Sequence, residues 1–105
     1  PKILKPVKGE IFPMPIIEPN PEGWKYFAKV YKFNGYEVLG DELHDIAAAI
    51  AGEYRETGKV VGELDQIKGA LFVCWRSSRF IEGFPGDADI PYLKALADAI
   101  DELEK

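Results

Sequence analysis

Histidine and cysteine occur once each in the 105 residues, at His44 and Cys74. A lone cysteine excludes an intramolecular disulfide framework and a cysteine-rich zinc site. A lone histidine excludes the paired-histidine metal motifs, and no glycine-rich phosphate loop, dinucleotide fingerprint or nucleophile elbow is present. No metal and no cofactor is therefore expected. Long hydrophobic runs are missing too. The longest uncharged apolar stretch, Gly69 to Trp75, is far short of the ~20 residues that span a bilayer, so no membrane association is expected. Nothing at the start reads as a charged-then-apolar leader, which makes the cytoplasm the expected location. Repeats and low-complexity tracts are also absent.

What is present is a globular composition: 47% apolar and 12% aromatic residues in a length that suits one domain. The net charge is −5, but its sign changes along the chain. Residues 1–33 hold six lysines against three glutamates, a balance of +3, and residues 34–105 hold seven basic against fifteen acidic residues, a balance of −8. An acidic body repels nucleic-acid phosphates, and the lysines of the first third are not interleaved with arginines, so nucleic acid is an unfavourable partner. The plainer reading is that the basic segment lies over acidic surface, its own or that of a second copy.

Six of the eight prolines fall within the first 21 residues. Each fixes its own φ, removes a donor and pushes its predecessor toward extended geometry, so residues 1–19 read as an extended proline-rich arm. The arm is not a polar tail: Ile11, Phe12, Met14, Ile16 and Ile17 are too apolar to remain solvated. A stiff apolar ribbon is expected to lie in a groove, in cis or on another subunit.

Residues 20–105 read as a single helical domain. Asn20-Pro21-Glu22 is an N-terminal helix signal, and Trp24, Phe27, Ala28 and Tyr31 recur at helical spacing, predicting a helix over 21–33 with Asn34-Gly35 as its stop. The competing reading is a hairpin at 24–39 turning at Asn34-Gly35, which makes the fold α+β. A second helix runs from an Asp41 cap to Gly58, with Leu43, Ile46, Ala47, Ile50, Ala51 and Tyr54 on one face. Its run of alanines predicts close approach by a neighbour. The third helix spans Glu63 to about Glu82 and stops at Gly83-Phe84-Pro85. Leu64, Ile67, Leu71, Cys74, Trp75 and Ser78 form its inward stripe, and Phe72 falls on the other side, between Lys68 and Arg76. A helix apolar on nearly all sides is either central to its bundle or in contact with a partner. The fourth helix starts near Asp89, buries Leu93, Leu96, Ala97, Ile100 and Leu103, and crowds acid at its C-terminal end, where the helix dipole favours cations. The fold class is mainly α: a small three- to four-helix bundle with an arm.

No catalytic constellation emerges. His44 sits beside acidic residues off the apolar face, without an aligned nucleophile, and reads as solvated surface. Cys74, among aliphatic and aromatic neighbours, reads as an inert core thiol. The best functional candidate is the stretch Trp75, Arg76, Arg79 and Phe80, because two arginines three residues apart can clamp a carboxylate or phosphate. Trp and Arg also dominate protein interfaces. Pairing with acid inside the fold is the plainer alternative for both arginines. The sequence thus leads to a soluble, non-enzymatic interaction module that self-associates, as a homodimer, through Phe12, Met14 and Ile16 of the arm and Phe72, Trp75, Arg76, Arg79 and Phe80. The alternative function is a binder of a small anionic ligand through Arg76 and Arg79.

Overall fold

The structure, a computed structural model, describes residues 21–31, 40–78 and 81–105. The proline-rich arm, the 32–39 connection and the pair Arg79–Phe80 lie outside the described residues. So do the Asn20 cap, the Asn34-Gly35 stop and the second half of the alternative hairpin.

Among the described residues the chain is helical, without a strand. The first segment is α1 (Pro21–Trp24), a 3-10 turn (Lys25–Phe27) and α2 (Ala28–Tyr31). Residues 24–31 are thus helical, which removes the first strand of the hairpin reading. Next come α3 (Gly40–Thr57), α4 (Leu64–Ser78), a 3-10 turn (Asp87–Asp89) and α5 (Ile90–Leu103).

The helix ends follow local chemistry. At the C-terminus of α3, Gly58 adopts a φ of 77° and its N–H donates to the Tyr54 carbonyl at 2.8 Å. That left-handed geometry suits glycine and satisfies a carbonyl left open by the end of the helix. The Thr57 hydroxyl donates to the Glu53 carbonyl and accepts from the Lys59 N–H. At the start of α4, Gln66 Oε1 accepts from the Glu63 N–H at 3.0 Å, one half of a capping box. The sequence extends this helix to Glu82, but it ends at Ser78. One further helical bond, from the Ile81 N–H to the Ser77 carbonyl, follows before the Gly83 turn at φ 85°. The last helix is entered one turn early: Asp89 Oδ2 accepts from the Gly86 N–H at 2.9 Å, so Asp89 closes the short turn that delivers the chain to α5.

The centre of the molecule is α4. It packs against α3, α5 and the 25–31 segment. Its buried residues, Ile67, Gly69, Ala70, Leu71, Phe72, Trp75 and Ser78, occupy most of its circumference. A helix enclosed on three sides needs no polar face over those turns, which is why Phe72 lies at only 2% exposure although the sequence sets it between Lys68 and Arg76. Trp75 is fully enclosed, and its ring meets that of Phe72 at 5.8 Å between centroids. The Ser78 hydroxyl, also buried, is satisfied by donating to the Trp75 carbonyl.

The flanking helices contribute single faces. From α3 come Leu43, Ala47 and Ile50; from α5 come Leu93, Leu96, Ala97 and Ile100. Leu103, expected on the buried face of α5, is about half exposed, because the last turn runs past the edge of the core. On α3 only Ala47 of the alanine run is buried; Ala48 and Ala49 face outward. The first segment docks through Gly23 and Phe27, one turn apart, and Ala28 is exposed. Gly23 is required by a close approach: a Cβ there would lie 2.4 Å from Pro85 Cγ and 3.0 Å from Ile90 Cδ1.

The acidic end of α5 receives cations from two other elements. Lys29 of α2 pairs with Asp101, and Lys68 of α4 reaches Glu104 at 2.8 Å with its own side chain only 10% exposed. Positive charge at a helix C-terminus is favourable. Lys29, one lysine of the basic first third, thus meets an acid of the body.

Candidate functional site

Of the residues singled out from sequence, Phe72, Trp75 and Arg76 fall among the described ones. Phe12, Met14, Ile16, Arg79 and Phe80 lie outside the described residues. Phe72 and Trp75 belong to the central core cluster, and a partner could touch them only by parting the helices. Arg76, at the end of α4, is half-buried.

Among the described residues two cavities open on different sides of α3. The first, of about 310 Å³, is lined by Ile46, Ala49, Ile50, Glu53, Val61 and Gln66. It exists because α3 spends its bulky residues on α4 and leaves alanine on the outside, while the Gly58–Gly62 connection carries Val61 across the gap at 59% exposure. Gln66, fixed by its bond to the Glu63 N–H, supplies one polar edge. Beside the groove α3 exposes Glu42, Asp45, Glu53 and Glu56. The arrangement is an apolar floor with an acidic border.

The second cavity, of about 250 Å³, lies between the end of α3 and the entry to α5 and is lined by Ala51, Tyr54, Arg55, Ala88, Asp89 and Tyr92. The Tyr54 and Tyr92 rings meet at 5.1 Å with a 47° tilt. Near Tyr92 and Asp89, burial pushes the Cys74 thiol up to about 12, with the negative charge of Asp89 adding to the effect. Burial likewise raises the Tyr92 phenol, the neighbouring Cys74 adds to the rise, and the Arg55 guanidinium opposes it. Cys74 therefore stays a protonated thiol at neutral pH, as its apolar neighbours suggest, and is not an activated nucleophile.

His44 is exposed on α3, and among the described residues no group of His, Cys, Asp and Glu is arranged to hold a metal ion. Among the same residues no helix is long and apolar enough to cross a membrane. No protein-family model, curated protein or solved structure matches the chain.

Sequence reasoning passed over both cavities. Val61 stands in a glycine-bounded connection and belongs to no periodic stripe. Tyr92 follows Pro91 in the first turn of α5, and its proximity to Tyr54 is a property of tertiary packing. One signal was available for the first groove: a pair of valines, Val60-Val61, in a short polar connection between two glycines.

Proposed function

We propose that this chain is a small non-enzymatic interaction module that self-associates, with residues 1–19 of one copy lying in the α3 groove of another. The observation that carries the reading is charge and apolar complementarity. The groove offers Ile46, Ala49, Ile50 and Val61 beside exposed Glu42, Asp45, Glu53 and Glu56. Residues 1–19 offer Lys2, Lys5 and Lys8 followed by Ile11, Phe12, Met14, Ile16 and Ile17 on a backbone that proline has already stiffened. Pre-stiffening lowers the ordering cost of binding, and opposite charges fix register and speed encounter. The apolar surface of α4 is spent inside the bundle, so the arm and the groove are the surfaces that support association. Exchange of identical arms closes a two-fold dimer.

Sedimentation of the full chain over a range of concentrations tests the proposal. A monomer–dimer equilibrium is expected, weakened by salt and by either Ile16→Asp in the arm or Val61→Asp in the groove. Mixing the two variants should restore one of the two arm–groove contacts and therefore a hetero-dimer. A full chain that stays monomeric throughout, or dimers indifferent to both substitutions, overturns the proposal. Monomers destabilised by Ile16→Asp would instead mean that the arm packs on its own chain.

A further inference from the structure

The second cavity combines features that belong together in a recognition site. Two of its six lining residues are charged, Arg55 and Asp89, and they are of opposite sign. They do not pair with each other, and among the described residues no carboxylate is in ion-pair contact with Arg55. The Asp89 carboxylate accepts a hydrogen bond from the Gly86 N–H on Oδ2. The tilted Tyr54–Tyr92 pair lines the same cavity, and its two remaining lining residues, Ala51 and Ala88, are small. A cavity of 250 Å³ lies just below the ~300–1,000 Å³ of pockets for drug-sized molecules, which favours a smaller ligand.

Each class of simple ligand can be weighed against these groups. A plain anion gains Arg55 but is opposed by Asp89. A plain cation gains Asp89 and the aromatic faces but is opposed by Arg55. An apolar molecule gains the aromatic wall but uses neither the exposed Arg55 nor the half-buried Asp89. A molecule carrying both charges and an apolar body satisfies the whole lining at once. We infer that this cleft binds a small zwitterion of the free amino acid class. Its carboxylate meets the Arg55 guanidinium, its ammonium group turns toward Asp89, and its side chain packs on the Tyr54–Tyr92 wall. No bond is made or broken: the thiol of Cys74 and the phenol of Tyr92 stay protonated and serve as packing.

The test uses the full chain and three probes that differ by one charged group: L-phenylalanine, 3-phenylpropionate, which lacks the ammonium group, and phenethylamine, which lacks the carboxylate. Binding is followed by the ring resonances of Tyr54 and Tyr92. Saturable shifts are expected with L-phenylalanine, and about tenfold weaker binding with either truncated probe, the loss of one charge-assisted contact. Arg55→Gln should weaken L-phenylalanine about tenfold while leaving resonances remote from the cleft unchanged. Asp89→Asn keeps an acceptor for the Gly86 N–H and should weaken L-phenylalanine while leaving 3-phenylpropionate unaffected or tighter. Absence of saturable shifts with L-phenylalanine overturns the inference. So does binding of 3-phenylpropionate as tightly as L-phenylalanine, or binding indifferent to Arg55→Gln.

Discussion

Helices α3 and α4 are neighbours of similar length, yet they meet their surroundings in opposite ways. α4 is enclosed around most of its circumference by α3, α5 and the 25–31 segment. α3 buries one face and turns the other, with Ala48, Ala49 and a row of acids, outward. Stability therefore resides around α4, and α3 keeps surface exposed. Apolar residues in α4 are already partnered. At the margin of α3, exposed Val61 and half-buried Ile46 are within reach of a second molecule.

Truncating one apolar side chain in α4 and one beside α3 should have very different effects. Trp75→Ala removes an aromatic ring from the closed side and should cost about 3–5 kcal/mol in urea unfolding. Val61→Ala, on the open side, should stay within about 0.5 kcal/mol. Equal effects would mean that the two helices are not distinct in the way described.

A smaller effect follows from close approach. Gly23→Ala sets a Cβ against the ring of Pro85 and should destabilise by about 1–3 kcal/mol, as should Ala47→Leu on the buried side of α3. Ala48→Leu, one residue along on the exposed side, should be close to neutral in the same unfolding measurement.

Cys74 sharpens the comparison through pH. Its thiol is raised in the folded chain from an ordinary 9.0 to about 12. The stabilisation is fully present below pH 9.0, where the thiol is protonated folded or unfolded. Above that, the unfolded chain releases the proton and the folded chain does not, so stability falls as pH rises toward 12. The loss is at most about 1.4 kcal/mol per pH unit for this group. Tyr92 adds a loss of the same sign above its ordinary 10.0. Denaturant titrations of wild type and Cys74→Ala across this range should diverge with that slope; parallel curves contradict the burial of the thiol.

The smallest effects compare two ion pairs. Lys68 is mostly buried against α5 and holds Glu104, whereas both partners of the Lys94–Asp98 pair are 61% exposed. Lys68→Met should cost about 1 kcal/mol, and Lys94→Met under about 0.5 kcal/mol, because exposed i, i+4 pairs contribute little. Thermal melts at low and high salt would resolve the two.

The comparison also explains what the sequence could express. α3 and α5 each have one wet face, so their apolar residues recur at helical spacing, and their existence and inward residues could be read directly. Gly58 stands at positive φ at the expected end of α3, whereas α4 ends at Ser78, ahead of the stop expected at Gly83. Those signals are local. Phe72 shows the limit: in α4 apolar residues fall on several faces, and spacing alone leaves open whether the extra face meets a third element or a partner. Folding brings up α2 and the 25–27 turn, which no pattern within α4 encodes. The shortfall at the candidate site has the same cause. Val61 with Ile50, and Tyr54 with Tyr92, meet across sequence gaps, and each residue taken alone is an ordinary side chain.

The placement of Trp75 inside the bundle is the point on which the division between closed and open helices turns. Acrylamide quenching of the full-length Trp24→Phe variant, which leaves Trp75 as the single tryptophan, measures it directly. Complete enclosure predicts a blue-shifted emission that resists acrylamide in the folded chain and becomes fully quenchable in denaturant. Ready quenching under native conditions would place Trp75 at a surface and contradict the account.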